Sequence, residues 1–303
     1  MRERRHRLPL PLGDEVPFSK GLMARALVVT GLDPERAYLI ARRADRDLTD
    51  RGAVSLDLDR LGELAAELIG EEEAERTVRR LRRIDALQRL DEPLLLLVGG
   101  ATGTGKSTIA TEAAHRLGIT RVTSTDFIRQ TMRTFFSKEF MPSVHYSSFE
   151  ARLALTRAEE EESGDAAILG FLDQTRNVLV GVDAALERAA TERWSIVLEG
   201  VHLVPGMVDV SYPGAFVVQC VVAIEDENLH RSHFWVRDHA TEGLRPLEKY
   251  LDSIPQIREI QDYLVERARR HDVPVIYNNS LDNAVGEVLD LVLRRADQLV
   301  GVA

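Results

Sequence analysis

Residues 94–107 constrain this chain more than any other stretch. Leu94-Leu95-Leu96-Leu97-Val98 is a short, continuous apolar run, as expected of a strand buried on both faces of a parallel sheet. It leads straight into Gly100-Ala101-Thr102-Gly103-Thr104-Gly105-Lys106-Ser107, which matches G-x-x-x-x-G-K-[ST] at every fixed position. Lys106 then opens a helical stretch that ends near Gly118. Strand, glycine loop and helix in that order form the context a phosphate-binding loop needs. The glycines let backbone N–H groups curl around phosphate oxygens without a Cβ clash, and the helix N-terminus adds roughly half a positive charge. Gly100, Thr102, Gly103, Thr104, Gly105, Lys106, Ser107 and Thr108 are therefore read as holding the phosphates of ATP. Lys106 is expected to reach the β- and γ-phosphates as a catalytic cation, and the Ser107 hydroxyl to ligate Mg2+. A glycine-rich turn of purely structural use is the alternative.

Further apolar runs stand at Ile196-Val197-Leu198, Phe216–Val222 and Val273–Tyr277, with helical segments between them. Alternating strands and helices predict right-handed βαβ units: an α/β, three-layer sandwich of the P-loop NTPase type with a mainly parallel sheet. The texture before Pro93 is different. Residues 14–90 are charged and carry apolar residues at helical spacing, as at Leu22, Ala26, Val29 and at Leu61, Leu64, Leu68. Gly31 is expected to end one helix, Asp33-Pro34 to cap the next, and Gly70 to end a third. The organisation expected is a flexible basic tail over 1–13, a small helical module over 14–90, and a P-loop domain over 91–303 with a lid near 230–246.

Composition narrows the partners. The formal net charge is −10 and the pI about 5.4, a balance that disfavours nucleic acid as the main partner. A small anionic substrate reads only local charge and is untouched by that reasoning. The single cysteine, Cys220, excludes an internal disulfide and a cysteine-based zinc cluster, and its strand context reads as a core thiol. No apolar stretch reaches membrane-spanning length, so no membrane partner is expected and the simplest location is the cytoplasm. The acidic run Glu159–Glu162 reads as a solvated helix end. Oligomeric state is open.

Several segments are candidates for the acceptor side. Thr120–Asp126 reads as a short strand and a helix cap, and Asp126, Arg129 and Arg133 follow at i, i+3 and i+7 on one helical face. Asp126 is read as the group that takes or positions the proton of the attacking hydroxyl. Arg129 and Arg133 are read as gripping an anionic acceptor. The alternative is a cap with surface ion pairs. The loop Met141–Phe149 offers His145, Ser147 and Ser148 as further acceptor contacts. Trp194–Gly200 is an apolar strand ending in an acid, so Glu199 is read as orienting Mg2+ or its water. Arg231 and Arg237, in the cationic stretch His230–His239, are read as lid arginines over the transferring phosphoryl group. A solvated helix face is the competing reading. Asn278 or Asn279, at the end of the last strand, is a candidate for contact with the nucleotide base, with a plain turn as the alternative.

Taken together, Gly99–Thr108, Ser124–Arg129, His145–Phe149, Leu198–His202 and Tyr250–Gln261 resemble the 2-phosphoglycerate kinase family. The resemblance spans most of residues 93–280. Pro17–Leu22 with Gly31–Ala37 also resembles the ATP-cone-like module that precedes the kinase in that family. The resemblance implies transfer of the ATP γ-phosphate to the 3-hydroxyl of 2-phosphoglycerate. Other acceptors, such as an inositol phosphate or a nucleoside, and a non-metabolic P-loop regulator are the alternatives.

Overall fold

The computed structural model describes residues 18–90, 92–156, 165–240 and 247–300, and of these the side chains of 88–89, 237–240 and 299–300 are outside the description. The basic tail over 1–13, the acidic run 159–162 and the lid segment 241–246 therefore lie outside the described residues. The chain divides into two compact units. One comprises the described parts of 1–91 and 289–303 with 115–119, the other 92–114 and 120–288.

In the first unit, α1 (Lys20–Val29), α2 (Pro34–Arg51), α3 (Leu58–Ile69) and α4 (Glu71–Arg89) follow one another. Local chemistry sets their ends. Asp33 accepts from the N–H groups of Glu35 and Arg36 with Pro34 at the first helical position, and Gly52 closes α2 in the left-handed conformation. Met23, Leu27, Ile40, Ala44, Leu61, Leu64 and Leu81 are all fully buried and make one apolar cluster.

The second unit is built on a five-stranded sheet. Its strands are β1 (Leu94–Gly100), β2 (Val122–Ser124), β3 (Ile196–Gly200), β4 (Phe216–Ala223) and β5 (Val275–Tyr277), in the order β2-β3-β1-β4-β5. Every pairing is parallel. β1 is central and buried along its whole length, which is why its sequence is uniformly apolar. The helices after β1 are α5 (Lys106–Leu117), α6 (Thr125–Phe135), α7 (Ala166–Thr191), α8 (Glu227–Ala240), α9 (Leu247–Asp252), α10 (Ile254–Arg270) and α11 (Leu281–Val300), of which the end of α5 from residue 115 and α11 from residue 289 are counted with the first unit. Leu95 and Leu97, alternate residues on one sheet face, pack with Val178, Val182 and Leu186 of α7. Cys220 is buried in β4, and burial pushes its thiol pKa up to about 12, so it is the inert core thiol expected. Among the described residues no helix is long and apolar enough to cross a membrane.

The topology fixes where a ligand can bind. After β1 the chain leaves for β2 at one edge, returns through β3, then crosses to β4 on the other side of β1. Such a reversal opens a crevice at the carboxyl ends of the strands. The phosphate loop follows β1 at that end, Glu199 and Gly200 finish β3, and Ser124 finishes β2.

Candidate active site

The loop after β1 turns its carbonyls toward the protein. Ala101 O accepts from Thr104 Oγ1 at 3.0 Å and lies 3.4 Å from Lys106 Nζ. Thr102 O is bonded by His230 Nε2 at 2.8 Å, Gly103 O by His233 Nδ1 at 3.0 Å, and Thr104 O by Asn278 Nδ2 at 2.9 Å. Gly105 O accepts from the N–H of Ile109 in the first turn of α5. Gly103 and Gly105 have φ of 86° and 83°, a region that L side chains avoid. A Cβ would run into the Phe234 ring at Gly103 and into Asn278 at Gly105. The glycines thus serve close approach by the protein behind the loop as well as by phosphate in front.

This corrects the reading of Asn278. It is buried and its amide is spent on a loop carbonyl, because β5 ends beside the phosphate loop. It supports the loop from behind and is not placed as a base contact.

The cationic stretch is the α8 helix. His230 and His233 lie at i, i+3 on one face and reach the loop, with Phe234 packed over Gly103. Arg231 points elsewhere and pairs with Glu227 one turn earlier at 2.8 Å, so the solvated-face alternative describes it as the structure stands. The side chain of Arg237 is outside the described residues. Phe234 also stacks on His230 at 5.5 Å and on Tyr250 of α9 at 5.2 Å, and Tyr250 meets Phe149 at 5.7 Å.

On the other side of β1 the strand register aligns three residues. Val98 pairs with Glu199, and Glu199 with Ser124. Neighbouring strands are about 4.8 Å apart, so the base of the phosphate loop and the start of α6 stand about 10 Å apart with Glu199 between them. Glu199 is buried, and among the described residues it has no ion pair or hydrogen-bond partner. Ser107 is exposed in the first turn of α5. A hydroxyl and a carboxylate are the hard oxygen donors that Mg2+ takes, and they fit the expected metal role.

Ser124, not Asp126, caps α6, accepting from the N–H of Phe127 at 3.0 Å. Asp126 is left with its carboxylate 57% exposed beside a buried Arg129. Arg129 does not present its guanidinium to an acceptor. Nε and Nη2 donate to Asp126 Oδ1 at 3.0 and 2.8 Å, and Nη1 donates to Val144 O and Tyr146 O at 2.7 and 2.9 Å. Four of its five N–H donors are used within the protein, so it is reassigned from gripping an anion to holding Asp126 in place. Arg133, on the same helix, is exposed and makes no ion pair with another described residue.

The segment read as a polar loop folds into two 3-10 turns, Pro142–His145 and Ser148–Ala154. His145 Nε2 lies 2.9 Å from Phe136 O, a local contact that ties down its ring. The hydroxyls of Ser147 and Ser148 have no hydrogen-bond partner among the described residues. Beneath the segment, Gln174 of α7 donates from Nε2 to Ser143 O and Tyr146 O. Its Oε1 therefore accepts, which makes His202 Nε2 the donor of the 3.0 Å bond between them. His202 Nδ1 is then the acceptor of a 2.8 Å bond from the Thr125 hydroxyl. Burial, and after it the charge of Arg129, pushes the His202 pKa down to about 3, so the ring is neutral.

No family model matches the chain. A 2-phosphoglycerate kinase from Methanopyrus kandleri is 38% identical over 92% of this chain and 84% of its own. One from Thermococcus kodakarensis is 37% identical over 94% of this chain and 95% of its own. The chain belongs to the 2-phosphoglycerate kinase family. Among solved structures, a gluconokinase from Sinorhizobium meliloti 1021 covers 71% of this chain at 17% identity and a TM-score of 0.40, too loose an overlay to bear on function.

Membership of the 2-phosphoglycerate kinase family makes this chain a phosphotransferase. Sequence reasoning missed four residues that the structure places beside the candidate site: His202, Gln174, His230 and His233. The pair at 230 and 233 carried one usable signal, their i, i+3 spacing, which puts them on one helix face. Nothing in a single sequence says what that face meets. His202 stood inside a quoted stretch, but its partners are 77 and 28 residues away in sequence.

Proposed function

We propose that this chain transfers the γ-phosphoryl group of ATP to the free hydroxyl of 2-phosphoglycerate, giving 2,3-bisphosphoglycerate. The observation that carries the reading is the backbone row Val98–Glu199–Ser124, in which the strand that leads into the phosphate loop and the strand that leads into α6 flank the strand of Glu199. That span suits a nucleotide phosphate on one side and a small acceptor on the other. Relatives named 2-phosphoglycerate kinase support this acceptor.

In this reading the loop N–H groups and Lys106 bind the triphosphate and spread its charge. Asp126, held by Arg129, orients the acceptor hydroxyl and takes its proton as the oxygen bonds to the γ-phosphorus. The bond from the γ-phosphorus to the β–γ bridging oxygen breaks, and ADP leaves. Arg133, with the Ser147 and Ser148 hydroxyls, receives the acceptor's anionic groups. Arg237 is the arginine this reading assigns to the transferring group. Ser107 and Glu199 would hold Mg2+, which supplies charge neutralisation across the β- and γ-phosphates. The reaction belongs in the cytoplasm.

The test is phosphorus NMR on the full chain with ATP and one acceptor at a time: 2-phosphoglycerate, 3-phosphoglycerate, an inositol phosphate, a nucleoside, or none. The expected result is a bisphosphoglycerate only with 2-phosphoglycerate. Equal ATP consumption in every tube, acceptor or not, overturns the reading in favour of an ATPase.

A further inference from the structure

Three consecutive carbonyls of the phosphate loop are bonded by side chains from outside it. His230 and His233 come from one face of α8, and Asn278 from the residue after β5. In a trans peptide the C=O of one residue and the N–H of the next point in opposite directions. Anchoring the carbonyls of Thr102, Gly103 and Thr104 toward α8 and β5 therefore turns the N–H groups of Gly103, Thr104 and Gly105 the other way. Among the described residues none accepts from these three N–H groups. A loop of this kind otherwise has to hold several like-oriented dipoles together, which repel one another. Three donors placed against their negative ends oppose that repulsion.

The donors are built for this position. The side chain of His230 is fully buried, stacked on Phe234, with Nε2 aimed at Thr102 O and Nδ1 without a partner. Burial pushes its pKa down, so the donor is the neutral Nε2–H tautomer. Asn278 is fixed at its backbone too, its N–H donating to Ala223 O at the end of β4. The loop is thus clamped to the sheet by one donor and to the lid helix by two.

We propose that His230, His233 and Asn278 are positioning residues for the ATP phosphates: they hold the loop with its N–H groups facing the ligand before ATP arrives. The proposal rests on the reading of this loop as the ATP site, and goes beyond it by assigning affinity to residues that never touch the nucleotide. It also places two of the three on the helix that carries Arg237.

The experiment is equilibrium binding of ATP and of adenosine by calorimetry, with thermal unfolding of each variant alongside. His230→Ala, His233→Ala and Asn278→Ala are each expected to weaken ATP about tenfold, the loss of one hydrogen bond to the loop, with adenosine binding unchanged. The amides supply the sharper arm. A Gln amide nitrogen reaches where Nε2 stands, and an Asn amide nitrogen where Nδ1 stands. His230→Gln and His233→Asn should restore ATP affinity to within about threefold of the parent, while His230→Asn and His233→Gln should not. ATP affinity unchanged in the alanine variants overturns the proposal, as does an equal loss for adenosine. If an alanine variant does not fold, the matched and mismatched amides decide, and equal affinity within each pair overturns it. Failure of the parent chain to bind ATP would instead overturn the reading of the loop itself.

Discussion

The Thr125 hydroxyl stands 2.8 Å from Nδ1 of His202, joining the first residue of α6 to the chain that follows β3. The bond needs a neutral imidazole, since a protonated ring has no lone pair to accept with. His202 therefore ties this contact at the start of α6 to pH. Its folded pKa of about 3 lies below the ordinary 6.5, so the unfolded chain binds the extra proton first. Stability is full above about pH 6.5 and falls as pH drops from there toward 3. Thermal unfolding between pH 8 and 5 should show the midpoint falling on the acid side. His202→Gln, which does not titrate, should flatten that fall, and an unchanged slope would remove His202 as its source.

Arg129 and Arg133 should separate cleanly. Arg129→Ala removes donors from two carbonyls and from Asp126, so it should cost about 2–3 kcal/mol of folding stability as well as turnover. Arg133→Ala should leave the unfolding midpoint within about 1 °C of the parent, an exposed substitution, and raise the acceptor KM about tenfold. Normal acceptor KM in the Arg133 variant would move the anion site to Ser147 and Ser148.

Asp126 is tested by two substitutions. Asp126→Asn keeps the shape and can still orient a hydroxyl, but cannot take a proton. If proton removal matters, turnover should fall about 10²–10⁴-fold with acceptor KM nearly constant. Phosphoryl transfer through a loose transition state needs little base help. A small loss in Asn and a large one in Ala would therefore identify Asp126 as a positioning group.

Lys106→Ala should abolish transfer in a folded protein. Among the described residues its ammonium makes one hydrogen bond, a long 3.4 Å contact with Ala101 O, so little folding stability depends on it. Unfolding should be near normal and turnover lost, consistent with charge stabilisation as its task. Retained turnover in the folded variant would sink the kinase chemistry assigned to this loop.

The parts legible in the sequence were those that depend on local pattern. The uniform run Leu94–Val98 announced a central strand because burial on both faces leaves no polar position. The glycine loop and the capped helices before residue 90 are likewise local. What escaped depended on facing. Asp126 and Arg129 are visible as an i, i+3 pair, but Arg129's bonds to Val144 and Tyr146 form only when α6 packs on that segment. His230 and His233 registered as positive charge at a lid, although in the fold they act as hydrogen-bond donors to carbonyls. Asn278 was placed at the right strand end and given the wrong neighbour, since strand order across the sheet cannot be read from one strand.

The geometry behind the phosphate loop also limits what evolution or an engineer can do to α8. His230 and His233, one helical turn apart, meet carbonyls that are adjacent in the loop. An inserted or deleted residue before His230 turns the helix beyond it by about 100°. Both imidazoles would leave the loop together. Substitutions on the outer face, such as at the exposed Val236, leave that register untouched. Away from positions 230, 233 and 234, this helix should therefore tolerate changes of residue far better than changes of length before His233.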